Sequence, residues 1–317
     1  MAIRRYKVIV NPAAGHGRTG NMWSALQPLL QRILGQHEVS FTQAKDDARI
    51  LAHQALRDGQ YDHIIAVGGD GTLNEVVNGF FIDDTLVNPQ AVLSFIPSGT
   101  GSDVARTLGI PFHHAQAIAR IAGILTERGK QLLDVGKIIY TQQDSHTVRY
   151  FLNEASCGMS SAVVQYMNHA SILKWLGGKL AFYLASLRTL MRYRNVRITM
   201  RVEHNATVVL DECIDARVIA LANGRYFGGG MMIAPHASPS DGIIDGIIVE
   251  HLNALQTAAK LHTLYTGKHL SEDSVRVVRG NRIVLHAEET TWIECDGEFL
   301  GQLPASIELL PAALPFV

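Results

Sequence analysis

A glycine-rich run in the first quarter of the chain holds the residue types that bind phosphate. The apolar segment His63–Val67 leads into Gly68, Gly69, Asp70 and Gly71, and a helix-like segment follows. Glycines let backbone N–H groups approach an anion, a helix N-terminus adds its positive dipole, and a carboxylate can hold Mg²⁺. Gly-Asp-Gly is also common in ordinary strand-to-helix turns. The run by itself fits both interpretations.

Two further segments repeat the order of strand, small-residue loop and helix. Asn11–Gly15 follows the strand-like segment Lys7–Val10, and Ser98–Asp103 follows a second one, Phe95–Pro97. An open parallel sheet binds ligands at the carboxyl ends of its strands, so loops of this kind can converge on one ligand. Three such loops favour a phosphate site over a single stray turn.

Two rival nucleotide motifs fit the sequence poorly. Gly15–Gly20 spells GxGxxG, and Glu38 follows at about the distance of the acid that binds ribose in dinucleotide-binding folds. That acid lies at the end of the second strand, whereas Glu38 begins the predicted strand Glu38–Thr42. The GxxxxGK[ST] phosphate loop is absent from the sequence. The sequence therefore argues against a Rossmann site and against the commonest ATPase architecture.

Composition indicates a two-domain enzyme and argues against a polyanion-binding protein. The chain has 317 residues, 47% of them hydrophobic, and 28 basic against 29 acidic residues give a formal net charge of −1. A single core rarely grows beyond about 250–300 residues, so two domains are the default. The balanced charge gives no reason to expect nucleic acid as a partner. Three cysteines without metal-site spacing, and no apolar signal or membrane-spanning run, predict a cytoplasmic protein.

The order of predicted elements divides the chain near Gln131. Up to residue 130, strand-like and helix-like segments alternate with short loops, which predicts a parallel sheet covered on both faces. From residue 131 onward, many short strand-like segments separated by turn residues predict a sandwich or barrel. We therefore expect an α/β domain over residues 1–130 and a β-rich domain over residues 131–298.

One basic segment interrupts the β-rich part. Between Tyr166 and Arg201 there are seven basic residues and no acidic one, interleaved with apolar side chains. A basic amphipathic helix can lie on an anionic membrane surface. Its apolar face can equally cover a protein core, which is the commoner arrangement. The basic residues are Lys174, Lys179, Arg188, Arg192, Arg194, Arg197 and Arg201.

The three loops, together with later motifs, resemble the diacylglycerol kinase catalytic-domain superfamily, which includes diacylglycerol, sphingosine and ceramide kinases and single-chain bacterial relatives. The later motifs are Ala222–Gly230, Ala234–Gly242 and Cys295–Glu298, so the resemblance spans nearly the whole chain in the family's order. It implies an NAD-kinase-like architecture, with an N-terminal doubly wound α/β domain and a C-terminal antiparallel β-sandwich. It also implies that about residues 299–317 return to pack on the first domain.

The same resemblance implies ATP and Mg²⁺ as cofactors. Phosphoryl transfer needs mainly a phosphate cradle, Mg²⁺ and a base for the acceptor hydroxyl. Asp70 is the residue expected near Mg²⁺. The residues that match the family's nucleotide contacts are Asn11, Pro12, Ala13, Ala14, Gly15, Thr42, Gly68, Gly69, Asp70, Gly71, Thr72, Leu73, Asn74 and Thr100.

Further acids match the family's catalytic positions beside Asp70. Asp103 and Asp134 resemble acids that extend the carboxylate network, although helix capping at Asp103 or a turn at Asp134 would also explain them. Glu298 resembles the general base, whereas the sequence alone favours a solvated residue after a hairpin turn. In some relatives the aspartate that matches Asp70 is argued to be the base, so both assignments stay open.

A second, structural metal site is implied near the end of the third quarter of the chain. In bacterial relatives a carboxylate and main-chain carbonyls bind Mg²⁺, which here corresponds to Asp241 with the carbonyls of Ser238 and Ile243. Pro239 and Ser240 depart from the family's pattern. A plain hairpin turn is the alternative.

These observations predict an ATP- and Mg²⁺-dependent lipid kinase that phosphorylates a hydroxyl of a membrane lipid, either diacylglycerol-like or sphingoid. A peripheral contact with the anionic inner membrane face and a homodimer through edge strands are compatible with the sequence. NAD kinase is the rival enzyme because it shares a GGDGT-type loop. A catalytically inactive nucleotide- or lipid-binding regulator is the non-enzymatic alternative.

Overall fold

The computed structural model of the protein describes residues 5–126, 129–142, 145–169, 188–189 and 192–317. The chain forms two compact units. Unit 1 consists of the chain up to Val135 together with Leu310–Val317, and unit 2 consists of Gly136–Leu309.

Unit 1 is built on a parallel sheet. Its strands are β1 (Tyr6–Val10), β2 (His37–Phe41), β3 (His63–Gly68) and β6 (Val92–Pro97), beside a short hairpin of β4 (Phe81–Ile82) and β5 (Thr85–Leu86). Its helices are α1 (Arg18–Leu34), α2 (Asp47–Arg57), α3 (Asp70–Phe80), α4 (Asp103–Thr107) and α5 (His114–Thr126). The parallel order is β2-β1-β3-β6, and β6 also pairs through Leu93 with Phe316 at the end of the last strand.

Burial along the strands of unit 1 explains this arrangement. Strands β1, β3 and β6 are buried at every position, as expected for parallel strands covered on both faces. Leu30 of α1 and Ile118 of α5 belong to one core with these strands. Because the strand order reverses beside β1, the carboxyl ends of β1 and β3 border the crevice where doubly wound sheets bind ligands.

Unit 2 is mainly antiparallel. Its strands are β7 (Gln131–Gln142), which begins in unit 1, β8 (Ser145–Phe151), β9 (Glu154–Gly158), β10 (Val196–His204), β11 (Thr207–Ala222), β12 (Ile244–Glu250), β13 (Val275–Gly280), β14 (Arg282–Ala287), β15 (Trp292–Cys295) and β16 (Glu298–Phe316), which ends in unit 1. Its described helices are α6 (Met159–His169), a helix over Ala254–Lys260 and 3-10 turns over Leu261–Tyr265 and Lys268–Ser271.

Two long strands close the β-structure of unit 2. Strand β11 pairs with β10 and, further along, with β9, while β16 pairs with β15 and then with β14. Because β9 also pairs with β15, and β10 with β14, these pairings form a closed circuit of strands. Ile198, Met200 and Val202 alternate along β10 into its core. The predicted succession of an α/β part and an antiparallel β part is confirmed.

The basic segment is described only in part. Lys174 and Lys179 lie outside the described residues. The Arg188 guanidinium lies 5.1 Å from the centre of the Tyr166 ring, and Arg197 and Arg201 belong to β10 rather than to a helix. Among the helices in the described part of the chain, none is long and apolar enough to span a membrane.

Candidate active site

Three loops of unit 1 lie at the carboxyl ends of its central strands. Loop 1 (Asn11–Gly17) follows β1, loop 2 (Gly68–Gly69) joins β3 to α3, and loop 3 (Ser98–Ser102) joins β6 to α4. The Asn11 backbone N–H donates to the Val67 carbonyl at 3.0 Å. The Asn11 side-chain amide donates to the Thr72 hydroxyl at 2.9 Å. Loop 1 is therefore joined to the first turn of α3.

Loops 2 and 3 meet at two glycines. The backbone N–H groups of Ser98 and Gly99 donate to the Gly68 carbonyl at 2.7 and 3.1 Å. A Cβ atom at Gly99 would lie only 2.5 Å from the Gly69 Cα atom. Only glycine permits this approach of the two backbones, which explains the residue type at this position.

Loop 1 also contacts loop 3. Gly15 has a φ of +61°, and a Cβ atom there would lie 2.6 Å from the Ser98 carbonyl oxygen. The hydroxyl groups of Thr19 and Ser98 hydrogen-bond at 2.7 Å. The three loops therefore contact one another, and their glycines leave backbone where side chains would otherwise project.

Asp70 and Asp103 both face Gly101 of loop 3. A Cβ atom at Gly101 would lie 3.0 Å from Asp70 Oδ2 and 3.8 Å from Asp103 Oδ2. Asp70 is the first residue of α3, after Gly69 in extended conformation, and its Oδ1 accepts the Val104 N–H at 3.3 Å. Helix α3 thus begins at Asp70 itself, directly after the glycine pair.

Arg106 supports this pair of acids, and the sequence analysis missed it. Its Nη1 donates to Asp103 Oδ1 at 2.8 Å and to the Gly101 carbonyl. The guanidinium also lies 5.3 Å from the centre of the Phe112 ring. Ser102, not Asp103, occupies the cap position of α4, so helix capping does not explain Asp103. An acid and a base three residues apart at a helix start was the available signal.

The other expected nucleotide contacts differ in what they can offer. Asn74 and Leu73 have buried side chains, and Asn74 accepts a hydrogen bond from Asn78. Thr42 is also buried, and its backbone N–H donates to the Val10 carbonyl at 2.9 Å. Loop 1 contributes the half-buried residues Pro12, Ala14 and Gly15 and the exposed Ala13, and loop 3 contributes the half-buried Thr100. The expected contacts in loops 1 and 3 are thus more accessible than Thr42, Leu73 and Asn74.

Asp134 has a structural contact within unit 1. It is buried in β7 rather than placed at a turn, and its Oδ1 accepts the Ala312 N–H at 2.7 Å. The turn interpretation of Asp134 is therefore wrong. Its carboxylate ties β7 to the returning end of β16.

Glu298 follows a two-residue hairpin in unit 2. Asp296 and Gly297 have φ values of 47° and 79°, and positive φ at both turn residues is typical of a type I′ hairpin. Glu298 is not fully solvated, because its side chain is only 17% exposed and its Oε2 lies 3.5 Å from Arg149 Nη2. The hairpin was foreseen, whereas the Arg149 contact was not.

The hairpin is fastened to the segment that precedes β9. The Asp296 carboxylate accepts the N–H groups of Leu152, Asn153 and Glu154 at 3.2, 3.1 and 3.0 Å. Three donors to one carboxylate hold the turn firmly, since hydrogen bonds to charged groups are stronger than neutral ones. Asp296 therefore fixes the turn from which Glu298 emerges.

Two buried glutamates lie beside this turn. Glu154 and Glu294 are only 3% and 2% exposed, and their carboxyl groups lie within hydrogen-bonding reach of each other. Burial raises the pKa of both, and the Glu294 charge raises the Glu154 pKa further. Ser156 donates its hydroxyl to Glu294 Oε1, and the Gly297 N–H donates to Glu294 Oε2 at 3.0 Å. The sequence analysis did not single out these residues.

The expected second metal site is an exposed turn in unit 2. Asp241 Oδ1 accepts the Ile243 N–H at 3.1 Å, and the hydroxyls of Ser238 and Ser240 are 3.5 Å apart. Elsewhere too, the described residues contain no group of three or more His, Cys, Asp or Glu side chains arranged to hold a metal. A Mg²⁺ ion held by protein alone has no such cluster to use, but Mg²⁺ beside phosphates commonly takes only one or two carboxylates. Asp70 and Asp103 fit that smaller requirement.

Comparison with known proteins agrees with these observations. Residues 5–138 match the diacylglycerol kinase catalytic domain, and residues 153–317 match the YegS C-terminal NAD kinase beta sandwich-like domain. The NAD-kinase-like form of the predicted fold is thereby confirmed.

Curated relatives and solved structures extend over nearly the whole chain. A diacylglycerol kinase of Mycobacterium tuberculosis (strain ATCC 25618 / H37Rv) is 27% identical, covering 98% of this chain and 96% of its own. A diacylglycerol kinase of Bacillus subtilis (strain 168) is 29% identical, covering 95% and 92%. The crystal structure of a diacylglycerol kinase from Bacillus anthracis str. Sterne has a TM-score of 0.66 at 20% identity, covering 99% and 96%, and supports the fold. The chain therefore belongs to the diacylglycerol kinase catalytic-domain family and is a lipid kinase with an NAD-kinase-like C-terminal β-sandwich.

Proposed function

We propose that the protein transfers the γ-phosphate of ATP to the hydroxyl of a membrane lipid, with Mg²⁺ as the metal. The observation that carries this proposal is the contact among the three glycine loops of unit 1, beside the carboxylates of Asp70 and Asp103. Backbone N–H groups and a helix start suit the phosphates, and two acids suit a hydrated Mg²⁺ ion. No other part of the described chain combines these features.

In this proposal the nucleotide is held by backbone more than by side chains. The phosphates lie against loop 1 residues Asn11–Gly15 and against Gly68–Asn74, with Thr42 and Thr100 at the margins. Gly69 precedes α3 and carries no side chain to cap its first turn, so the N–H groups there are suited to an anion.

Asp70 and Asp103 would hold Mg²⁺, and Arg106 would keep Asp103 in place. Bound Mg²⁺ supplies charge neutralisation at the phosphate oxygens. The Arg106 contacts to Gly101 and Asp103 keep loop 3 closed around the two acids.

Glu298 is proposed as the base for the lipid hydroxyl. The hydroxyl oxygen forms a bond to the γ-phosphorus, the bond from that phosphorus to the ADP oxygen breaks, and the hydroxyl proton passes to the Glu298 carboxylate. Arg149 lies beside Glu298 and orients it. Asp70 is the competing candidate for this proton, and the Glu298→Gln variant decides between them.

Diacylglycerol-like and sphingoid lipids are the proposed acceptors, and the names of the relatives favour the former. An enzyme that uses ATP works where ATP is abundant, which supports action at the cytoplasmic membrane face. Arg188, Arg192 and Arg194 are exposed and can attract anionic lipid headgroups. We propose a structural Mg²⁺ at Asp241 and the carbonyls of Ser238 and Ile243 only as a secondary site.

The test is transfer of label from [γ-³²P]ATP with Mg²⁺ to diacylglycerol, sphingosine, ceramide and phosphatidylglycerol in mixed micelles, with NAD in a parallel reaction. Labelled lipid supports the proposal and names the acceptor. Label on NAD, or ATP binding without any transfer, contradicts it in favour of an NAD kinase or an inactive regulator. Omission of Mg²⁺ should abolish transfer.

A further inference from the structure

The buried pair Glu154 and Glu294 lies outside the reaction proposed above, yet it contacts the turn that carries Glu298. Glu294 accepts the Gly297 N–H at 3.0 Å, one residue before Glu298. Glu154 itself donates its backbone N–H to Asp296 Oδ1 at 3.0 Å, next to the Asn153 N–H, which donates to the same oxygen. The pair thus contacts the hairpin in two ways. Glu294 binds the hairpin backbone at Gly297, and Glu154 belongs to strand β9, whose start is hydrogen-bonded to Asp296 of the hairpin.

Two carboxyl groups can hydrogen-bond each other only when one of them is protonated. Glu294 has Ser156 and Gly297 as donors, which suits the charged form. Glu154 Oε2 is buried without a hydrogen-bond partner among the described residues, which suits the neutral form because a bare buried carboxylate oxygen is costly. The proton therefore belongs on Glu154, directed to Glu294.

We propose that Glu154 and Glu294 share one proton, and that this shared proton holds the hairpin of Glu298 in its working position. Both glutamates are then positioning residues for phosphoryl transfer. The inference rests on the proposed role of Glu298.

Loss of the shared proton as the pH rises would place a second negative charge in a site that already contains Asp296. The nearby titratable groups, two thiols and one arginine, do not neutralise that charge. Burial raises the pKa of the Cys157 thiol to about 12 and raises that of Cys295 as well, so both thiols are neutral. Arg149, the nearby cation, is shared with Glu298. The pair should therefore repel at high pH and loosen the Gly297 contact, and kcat should fall.

The decisive variant is Glu154→Gln, whose amide donates to Glu294 where the shared proton lies but has no proton to lose. Its kcat at neutral pH should stay within about threefold of the wild type, and the alkaline fall of kcat should move up by about one pH unit or more. Glu288→Gln, an exposed acid of the same unit, is the matched control and should keep the wild-type profile. An unchanged alkaline limb in Glu154→Gln would overturn the proposal.

Glu294→Gln, unlike Glu154→Gln, should impair turnover at neutral pH. Glu294 accepts the hydrogen bonds of Ser156 and Gly297 on two different oxygens, and in glutamine one of these oxygens is replaced by an NH₂ group that cannot accept. Either the Ser156 or the Gly297 hydrogen bond is therefore lost, and kcat should fall about tenfold. The KM for ATP should not change, because every proposed nucleotide contact lies in unit 1. A rise in KM with unchanged kcat would contradict a positioning role. If the glutamate variants do not fold, Ser156→Ala removes one donor to the charged form and should also shift the alkaline limb upward.

Infrared spectroscopy tests the shared proton without any turnover. The wild-type protein at neutral pH should show the C=O band of a protonated carboxyl group, and Glu154→Gln should lose it. A band that persists in Glu154→Gln, or its absence from the wild type, would refute the shared proton even if lipid is phosphorylated. Conversely, full turnover in Glu298→Gln would refute the proposed base and leave the band untouched.

Discussion

The two units of this lipid kinase hold their important carboxylates by different means. In unit 1, Asp70 and Asp103 lie at helix starts beside Gly101, where we propose that an outside anion and its metal bind. In unit 2, Asp296 and Glu294 take their hydrogen bonds from the protein's own backbone. In the proposed reaction, unit 1 therefore uses its carboxylates to bind a charge from outside, whereas unit 2 keeps its own charged groups in a fixed position.

The sharpest test of this contrast is Asp70→Asn. We expect turnover to fall about 1,000-fold, because the amide cannot neutralise a metal ion in the transition state. The fold should persist, since the asparagine side-chain oxygen can still accept the Val104 N–H. Lipid-dependent ATP turnover and the Tm measure these two effects. Asp83→Asn, an exposed aspartate with a φ of 45° that asparagine also tolerates, is the control, and equal turnover in both variants would remove Asp70 from the site.

The next test asks whether the backbone contact between loops 2 and 3 matters. Gly99→Ala places a methyl group 2.5 Å from the Gly69 Cα atom, so the loops must separate. We expect kcat/KM for ATP to fall about 10- to 100-fold. Gly123→Ala is the matched control, because nothing lies within 4 Å of its Cβ position in helix α5. That variant should keep its activity and gain roughly 0.5–1 kcal/mol in stability; equal losses in the two variants would argue against a loop contact.

A third test compares stability with pH in unit 2. The pKa of Glu154 is raised in the folded protein above the ordinary 4.5, so the folded state binds the proton more tightly than the unfolded state. The Glu154 contribution to the free energy of unfolding should therefore be largest below pH 4.5 and be lost as the pH rises through the raised pKa, by at most about 1.4 kcal/mol per pH unit for one proton. Urea denaturation at several pH values should show a flatter dependence for Glu154→Gln than for Glu288→Gln. A steeper pH dependence in Glu154→Gln than in Glu288→Gln would contradict the raised pKa of Glu154.

The smallest expected effect concerns the membrane. Replacing Arg188, Arg192 and Arg194 by Gln should weaken binding to phosphatidylglycerol vesicles several-fold at low salt, and less at high salt. The control replaces three arginines of the same unit that already have acidic partners. Arg201 lies 2.8 Å from Asp211, Arg282 lies 3.3 Å from Glu203, and Arg276 pairs with Glu212. Vesicle sedimentation should show little change for the control. Equal binding by both triple variants would leave the exposed arginines without a membrane role.

What the sequence could predict follows the same division. The loops of unit 1 were foreseen because glycine, aspartate and a strand-to-helix boundary lie within a few residues, and the turn before Glu298 was foreseen for the same reason. Ser156 and Glu294 are 138 positions apart, and Arg149 and Glu298 are 149 apart. Only the pairing of β9 with β15 brings the first two together. Strand register across a closed circuit depends on the whole core and leaves no local pattern of residues.

The position of the last strand means that the sheet of unit 1 is completed late in synthesis. Val317 donates its N–H to the Leu93 carbonyl at 3.0 Å, and Ala312 donates to Asp134, so the sheet of unit 1 is completed by residues made after all of unit 2. While the ribosome synthesises the β-rich part, the nascent chain carries the edge of β6 without this neighbour. An open strand edge is prone to wrong pairing, so the edge of β6 is open to mispairing until the last residues of the chain are made.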